Sequence, residues 1–292
     1  MQTLVIGGTG TVGSPIVNEL LRHRQAVRVL VTSAEKAALL PEGVEAAIGN
    51  LDEPATLPKA FDGIDRVFLL NRQSHTEIAQ GSYAVAAARR AGVKKIVYQS
   101  IHNVHEGAHI PHFYTKIAIE KAILGSGLNY VFICPNNFFQ NDFFFKAGIT
   151  NYGLYTQPFG SGGLSRVDVR DIAEATVRVL LTDEYDGQRI PLAGPEILTG
   201  ESTARILTEH LGYDVQYAGN DLKAWATQAK QWLPGWLVDD WVQMYDLFQT
   251  QGLKASADQL DVLTKLLGRA PRSYGDFVKE HAGAFRRAAE LV

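Results

Sequence analysis

A glycine-spaced turn between an apolar strand and a helix is the feature that most constrains what this chain can fold into. Residues 4–6 form an apolar run, and Gly7, Gly10 and Gly13 follow it with the spacing G-x-x-G-x-x-G. Apolar residues then recur at helical intervals over 12–21. Glycines at such a turn let the backbone approach a pyrophosphate, and the helix N-terminus offers free N–H groups and the positive end of the helix dipole. This order predicts a dinucleotide site, against the alternative of a turn that only joins a core strand to a helix.

Composition and charge argue against several other classes of protein. Charged residues make up 20% of the 292 residues and the net charge is −3, so nothing favours nucleic acid as a general partner. The single cysteine, Cys134, lies in an apolar run and is expected to be buried and structural, which suits a reducing cytosol. Ser14 stands where a phosphate-binding P-loop requires a lysine. No leader pattern and no membrane-spanning apolar run is found, so we expect a soluble, cytoplasmic protein with no membrane partner.

Strand-like and helical patterns alternate through the first half of the sequence. The predicted strands cover residues 4–6, 26–31, 44–48, 67–70, 96–99 and 130–133. The predicted helices cover residues 14–22, 35–40, 55–61, 77–91 and 113–124. Such alternation implies a sheet covered by helices on both faces, so we predict an α/β fold with a doubly wound parallel sheet.

The second half of the sequence is less regular. Segment 148–164, rich in glycine and tyrosine, is predicted to be a loop with short strands, and 167–181 returns to helical periodicity. Further helices are predicted over 200–211, 222–250 and 257–267. We therefore divide the chain into a dinucleotide-binding domain over 1–150, with return segments at about 165–195, and a smaller, mostly helical substrate lobe over 196–292.

Five segments of the sequence together resemble one family. They read GGTGTVG at 7–13, GNLDEPATLPKAFDGIDRVFLL at 49–70, VKKIVYQSI at 93–101, HFYTKIAIEKAILGSGLNYVFICPNNFFQN at 112–141 and VDVRDIAEA at 167–175. Over essentially its whole length the chain resembles an atypical short-chain dehydrogenase/reductase of the NmrA-like group. That group includes NADPH-dependent quinone and triphenylmethane dye reductases, and also cofactor-binding regulators that catalyse nothing. The resemblance implies a Rossmann fold that binds NAD(P).

The resemblance also implies which residues hold the cofactor, in the loops that follow the strands. The pyrophosphate would be cradled by Gly7, Thr9, Gly10, Thr11, Val12 and Gly13. Other contacts would come from Asn50 and Leu51 beside the adenine, from Leu70, Asn71 and Arg72 beside the nicotinamide ribose, and from Pro135, Asn136 and Asn137 in the loop that passes the nicotinamide. The group more often has an aspartate in place of Asn50. Ser100 stands where the wider superfamily keeps its active-site serine.

The end of the second predicted strand bears on the choice between NAD and NADP. An acidic residue there would bind the ribose 2′-OH of NAD, and a basic residue would accept the 2′-phosphate of NADP. The sequence VRVLVTSAEK has no acid before Glu35, and Thr32 stands where NADP-preferring relatives carry an arginine. Thr32 and Ser33 can donate hydroxyl groups to a phosphate and Lys36 can reach it, although Ser33 could instead cap a helix beside a solvated lysine. We expect NADP, with NAD as the alternative.

The usual catalytic pair of the superfamily is altered in this chain. The standard pair is Tyr-x-x-x-Lys on one helix, in which the tyrosine moves a proton and the lysine binds the ribose and lowers the tyrosine pKa. Here His112 and Lys116 stand at those positions, on one helix face, and Tyr114 points roughly 200° away around the helix. His112 can donate a hydrogen bond to a substrate oxygen, and solvent can supply the proton instead. We predict catalytic roles for His112, Lys116 and Ser100, and a ribose contact for Lys116.

Two other clusters each have a structural and a functional interpretation. Four histidines fall within eleven positions, and two of them, His105 and His109, have the helical spacing of metal ligands. We expect a histidine-lined pocket rim there and no metal. Four tryptophans, from Trp225 to Trp241, fall in one predicted helical stretch. They either pack the core or form an aromatic wall for a flat substrate.

Three functions fit these residues, in decreasing order of support. The first is an NAD(P)H-dependent reductase that transfers a hydride to a quinone, aromatic or enone-type small molecule. The second is a non-catalytic, NAD(P)-sensing regulator that binds a protein partner, which the missing tyrosine favours. The third, a sugar-modifying enzyme, is weaker because such enzymes also need the tyrosine. The sequence leaves the oligomeric state open, with a homodimer among the alternatives.

Overall fold

Six parallel strands and the helices between them follow the alternation predicted for the first half of the chain. The computed structural model describes residues 1–287. The strands are β1 (Gln2–Ile6), β2 (Ala26–Val31), β3 (Val44–Ile48), β4 (Arg66–Leu69), β5 (Lys95–Gln99) and β6 (Asn129–Pro135). The helices are α1 (Gly13–Arg22), α2 (Ala34–Ala37), α3 (Leu57–Phe61), α4 (Glu77–Arg90) and α5 (Pro111–Leu124).

The later elements are mostly helices. They are α6 (Lys146–Tyr152), β7 (Leu154–Tyr155), α7 (Val169–Leu181), β8 (Arg189–Leu192), α8 (Gly200–Leu211), β9 (Gln216–Tyr217), α9 (Leu222–Ala229), α10 (Gly235–Thr250), α11 (Ala257–Leu267) and α12 (Tyr274–Glu280). Short 3-10 turns cover Pro54–Thr56, Phe139–Phe143 and Ala282–Phe285. Strands β7 and β9 pair with each other in a separate two-stranded sheet.

The main sheet has seven strands in the order β3-β2-β1-β4-β5-β6-β8. Neighbouring strands among the first six pair in parallel. The chain moves outward from β1 to β3 and then returns to place β4 on the other side of β1. The predicted doubly wound α/β fold is confirmed, and its switch in strand order lies between β1 and β4, where such sheets bind ligands beyond the carboxyl ends of the strands.

The described chain divides into two compact units. The first unit contains Met1–Ala108, His112–Pro135 and Val169–Pro191, and the second contains His109–Pro111, Asn136–Asp168 and the chain from Leu192 onward. The division into a cofactor domain and a substrate lobe stays a prediction for these two units. Residues 288–292 of the predicted lobe lie outside the described residues.

Each unit has its own apolar core. In the first unit, alternate residues of β1, β4 and β5 face α4 and α5, and they include Leu4, Val67 and Tyr98. Most residues of these three strands are buried because parallel strands are covered on both faces. In the second unit the core is rich in aromatic rings, among them Phe139 and Tyr245.

Two local predictions for the second half were wrong, and one strand was not predicted. Residues 148–152, which we predicted to be loop, belong to helix α6, and the helix ends at Gly153 with a φ of 63°. The predicted single helix over 222–250 is two helices, because the chain turns at Pro234 before α10 begins. Strand β8 was not predicted, since its four residues carry too short an apolar pattern. In the described part of the chain, no helix is long and apolar enough to cross a membrane.

Candidate functional site

The turn after β1 requires glycine at its first and third positions for reasons of backbone geometry. Gly7 has a φ of 83°, which side chains rarely adopt, and a Cβ there would lie 2.8 Å from the carbonyl oxygen of Leu70. A Cβ on Gly13 would lie 2.1 Å from the carbonyl oxygen of Gly7. These two glycines let α1 begin directly against β1 and let the turn lie beside the end of β4, at the switch in strand order.

The middle of the same turn is open to solvent. Thr9, Gly10 and Thr11 are exposed, and a Cβ on Gly10 would meet only the Gly7 carbonyl oxygen, at 3.3 Å. Helix α1 starts after Val12 without a side-chain cap and without an acidic residue in its first turn. The Ser14 N–H donates to the Gly10 carbonyl at 2.9 Å and Pro15 has no N–H, but no side chain caps the start of α1 and no acidic residue in its first turn opposes an anion. This arrangement fits a pyrophosphate.

The end of β2 carries the residues predicted to select the cofactor. Thr32 and Lys36 are exposed. Ser33 caps α2, since its Oγ accepts a hydrogen bond from the Lys36 backbone N–H at 3.4 Å. A hydrogen bond from the Ser33 side chain lowers the pKa of Glu35. The hydroxyl of Ser33 is thus used within the chain, and its predicted role with a 2′-phosphate stays a prediction, as do those of Thr32 and Lys36.

The loop after β3 is held by its own polar groups. The Asn50 backbone N–H donates to the Thr56 hydroxyl at 2.9 Å, and the Asn50 side chain donates to Glu53 at 3.1 Å. Leu51 is half-buried beside it. Because the Asn50 side chain is engaged within the loop, the surface left for an adenine is the backbone and Leu51; this contact stays a prediction.

The end of β4 carries an unpaired buried amide. The Asn71 side chain is 4% exposed, and neither its nitrogen nor its oxygen has a hydrogen-bond partner among the described residues. Buried polar groups in proteins are almost always hydrogen-bonded, so this amide is one that a water molecule or a ligand can satisfy. Leu70 is half-buried and Arg72 is exposed on either side. Asn71 fits a cofactor that passes the end of β4.

Lys116 is held in an ion pair that the sequence did not indicate. Its ammonium lies 2.8 Å from Oε1 of Glu77, the first residue of α4, and 5.6 Å from the centre of the Tyr98 ring. Both side chains of the ion pair are buried. Burial, followed by the charges of Glu77 and Glu120, raises the pKa of Tyr98 well above its usual value, so this phenol stays protonated.

The other two predicted catalytic residues lie in different surroundings. The buried Ser100 hydroxyl donates to Glu120, and Arg189 pairs with the second oxygen of Glu120 at 2.7 Å. His112 is half-buried in the first turn of α5, and its ring packs edge-on against Phe113 at 4.8 Å. Only His112 combines partial exposure with a titratable ring; the catalytic roles of both residues stay predictions.

The remaining predicted contacts lie at the end of β6. Pro135 is its last residue. Asn136 and Asn137 belong to the second unit, where the Asn136 side chain donates to the Leu253 carbonyl at 2.7 Å and Asn137 Oδ1 accepts from Arg166 Nε at 3.0 Å. Their amide groups support the second unit, and their predicted contacts with a nicotinamide stay predictions.

The histidine and tryptophan clusters are divided between different environments. His105 and His109 are exposed, and no group of three metal-binding side chains occurs among residues 1–287. In the second unit, Trp225 is buried against Tyr245. Trp232 is 53% exposed and Trp236 38% exposed, so these two rings lie at the surface of that unit. The core interpretation holds for Trp225 but not for Trp232.

Sequence reasoning missed Glu77 and Glu120, the buried carboxylates that fix Lys116 and Ser100. An acidic residue in the first turn of a helix is ordinarily explained by the helix dipole alone, so Glu77 carried no distinguishing signal. Glu120 is followed by Lys121 in a helix of mixed polarity, which is typical of an exposed position. Both carboxylates are identified only by the packing of α4, α5 and the sheet.

Comparison with known proteins adds a family to this geometry. The sequence pattern of the NmrA-like family matches residues 2–266. The NAD(P)H azoreductase of Xenophilus azovorans is 33% identical over 291 residues, covering 98% of this chain and 99% of the relative. The (4-alkanoyl-5-oxo-2,5-dihydrofuran-3-yl)methyl phosphate reductase of Streptomyces griseus is 30% identical over 284 residues, covering 97% and 98%. Both relatives therefore match along their full length.

A solved structure is also similar to this chain over nearly its whole length. The Citrobacter sp. triphenylmethane reductase, in complex with NADP(H), is 25% identical to this chain, with a TM-score of 0.84. The match covers 97% of this chain and all of that one. The similarity extends beyond the nucleotide-binding strands into the helical second half.

Proposed function

The chain belongs to the NmrA-like family, and from that premise we propose that it is an NAD(P)H-dependent reductase of quinone, aromatic or enone-type small molecules. The observation that carries the proposal is the set of groups at the carboxyl ends of β1 and β4. There, the uncapped start of α1 suits a pyrophosphate, and the orphaned amide of Asn71 suits a hydrogen-bonding ligand. Relatives of full length that are named as reductases support the same conclusion.

The cofactor is NADP, with NAD as the alternative. The turn around Gly10 would hold its pyrophosphate, Asn71 would hydrogen-bond near the nicotinamide ribose, and Lys116 would donate to the ribose hydroxyls. When bound, the reduced nicotinamide supplies a hydride from its C4. The chain's own residues bind the cofactor and orient the acceptor, and they offer a proton or a hydrogen bond at the acceptor oxygen or nitrogen.

The proposed acceptors fit a site without the usual tyrosine. A quinone or conjugated acceptor delocalises the charge left by the hydride, so it needs less help from an acid than a plain ketone does. A single hydrogen bond from His112, or a proton from water, is then enough. A homodimer and a cytoplasmic location remain predictions.

The proposal is tested by following NADPH absorbance at 340 nm with a panel of quinones, azo dyes, triphenylmethane dyes and enones. We expect oxidation of NADPH that depends on both protein and acceptor, with the acceptor reduced by two electrons for each NADPH consumed. A protein that binds NADPH tightly but oxidises it with none of these acceptors would favour the second candidate, the non-catalytic regulator. The replacement of the catalytic tyrosine by His112 is the observation that keeps this candidate open.

Cofactor preference gives the first specific prediction. NADPH should bind several-fold more tightly than NADH, because Lys36 is exposed at the end of β2 and attracts a 2′-phosphate. The preference should be modest because the exposed carboxylate of Glu35 adds a negative charge nearby. Lys36→Ala should weaken NADPH binding several-fold and leave NADH binding unchanged, as measured by fluorescence titration. Tighter binding of NADH than NADPH by the wild type would contradict the assignment.

The role of His112 gives the second prediction. His112→Phe keeps a flat ring at the start of α5 but removes the hydrogen-bond donor. We expect the rate of hydride transfer in single-turnover experiments to fall roughly ten- to a hundredfold, the effect of one positioning hydrogen bond or a weak general acid. His109→Phe, at an exposed histidine three residues earlier, is the matched control and should keep the wild-type rate. An unchanged rate in His112→Phe would assign proton delivery to water.

A further inference from the structure

Helices α4 and α5 approach each other closely because one of them carries a glycine at the contact. A Cβ on Gly81 of α4 would lie 2.6 Å from two side-chain carbons of Ile119 of α5, so only glycine allows this approach. Glu77 lies one turn before Gly81, and Lys116 lies about one turn before Ile119. The same contact therefore brings Glu77 and Lys116 together at the ends of the two helices nearest the carboxyl ends of β4 and β5.

The Glu77 carboxylate is held on both of its oxygens. Oε1 lies 2.8 Å from the Lys116 ammonium, and Oε2 accepts a hydrogen bond from the Thr115 hydroxyl at 2.9 Å. Glu77 is only 1% exposed, and as the first residue of α4 it lies where the helix dipole favours a negative charge. A buried carboxylate fixed in this way has one orientation, so it defines where the ammonium of Lys116 lies.

The contact leaves hydrogen-bonding capacity on Lys116. The ammonium lies 2.8 Å from Oε1, the distance of a charge-assisted contact with a single carboxylate oxygen. An ammonium has three N–H donors, and the single contact with Oε1 of Glu77 can take only one of them. The contact therefore leaves donors for a ligand with hydroxyl groups.

We propose that Glu77 is a positioning residue that acts through Lys116. Its carboxylate fixes the ammonium, by the packing of α4 on α5, so that the ammonium donates to hydroxyl groups of the nicotinamide ribose. The carboxylate also balances the buried positive charge, so Lys116 acts as a directed hydrogen-bond donor and the pair adds no net charge to the site. The assignment rests on the proposed function only in requiring that the protein bind an NAD(P) cofactor.

The test compares two probes that differ in the nicotinamide half. NADPH carries the nicotinamide ribose, whereas adenosine 2′,5′-bisphosphate has only the adenosine half and the 2′-phosphate. We expect Glu77→Gln, which keeps the size of the side chain but removes its charge, to weaken NADPH binding roughly tenfold, the effect of misdirecting one charged hydrogen bond. Binding of adenosine 2′,5′-bisphosphate should change less than about twofold, because that probe does not reach Lys116.

A double variant tests whether Glu77 acts through the lysine. Once Lys116→Met has removed the ammonium, adding Glu77→Gln should cause no further loss of NADPH affinity. Thr115→Val is a milder variant for the case in which Glu77→Gln does not fold. It removes the hydroxyl that holds Oε2 and should weaken NADPH binding two- to threefold, again without affecting the bisphosphate.

The control is a buried ion pair at the opposite end of the same sheet. Lys95, the first residue of β5, is buried and pairs with Asp186. Asp186→Asn should lower the melting temperature but leave the affinity for NADPH unchanged, since Lys95 lies at the amino end of its strand.

The outcomes separate the assignment from the proposed function. Unchanged NADPH binding by folded Glu77→Gln, or an equal loss for both probes, would overturn the positioning role. Additive losses in the double variant would also overturn it. A wild-type protein that binds the bisphosphate but not NADPH would contradict the proposed function itself.

Discussion

We expect Gly10→Val to abolish NADPH binding while the protein remains folded. The exposed middle of the turn after β1 leaves space above Gly10, and only the Gly7 carbonyl oxygen, at 3.3 Å, lies near the position of an added Cβ. A valine side chain therefore costs the fold little but occupies the space of the pyrophosphate. We expect affinity for NADPH to fall at least a hundredfold, which is about 2.7 kcal/mol. Fluorescence titration measures the affinity, and circular dichroism checks the fold.

Gly13→Ala is the control variant for Gly10→Val, because it should act on the fold and not directly on cofactor binding. The added methyl group would lie 2.1 Å from the Gly7 carbonyl oxygen, against backbone that has no room to move. This variant should lose about 3 kcal/mol of stability or more, and lose cofactor binding only as a consequence. The variants at Gly10 and Gly13 thus distinguish a loss of cofactor contact from a loss of fold stability. Normal NADPH binding by Gly10→Val would show that the phosphate site lies elsewhere.

We expect Arg166→Met to destabilise the second unit by about 3–5 kcal/mol, the usual cost of leaving a buried charge without its partner. Arg166 and Asp142 are both fully buried, with 2.8 Å between Nη2 and Oδ1. Although burial opposes it, the charge of Asp142 raises the pKa of Arg166, and the Tyr274 hydroxyl donates to Asp142 at 2.5 Å. Removing the guanidinium leaves Asp142 as an uncompensated buried anion.

Denaturant unfolding followed by tryptophan fluorescence measures this loss, because all four tryptophans belong to the second unit. Arg205→Met is the control. Arg205 pairs with Glu209 at 3.0 Å on the surface of α8, and the loss of such an exposed pair should cost less than about 1 kcal/mol. A loss of similar size in Arg166→Met would mean that the buried pair contributes nothing beyond a surface contact.

The strands of the sheet were predicted well from the sequence because each strand is indicated by a short run of neighbouring residues. Strands β2 and β3 have the predicted bounds, and the order strand, glycine turn, helix predicted the cradle of α1. Helix α6 was missed because the residues GITN at its centre are poor helix formers, and packing decides such cases. The buried pair of Glu77 and Lys116 depends on Gly81 meeting Ile119, residues 38 positions apart, and no local pattern carries that information.

The residues of the candidate site were predicted from the sequence, but their partners were not. Spacing and resemblance identified Asn71 and Lys116 as site residues. They did not show that the Asn71 amide lacks a partner among the described residues, or that Glu77 holds Lys116. Ser33 had two interpretations at the level of sequence, and the cap of α2 settles its position but not a second role with a ligand. Burial and partners, which decide the chemistry of a polar side chain, come only from the fold.

The buried amide of Asn71 limits how far the stability of this chain can be raised without other effects. Within the protein alone, an unpaired buried amide costs about 1–3 kcal/mol, which an apolar side chain of similar size would recover. Selection for heat resistance alone would therefore favour replacing Asn71. Under the role proposed for Asn71, the more stable protein would bind its nucleotide less tightly, so stability and cofactor affinity would be in conflict at this one position.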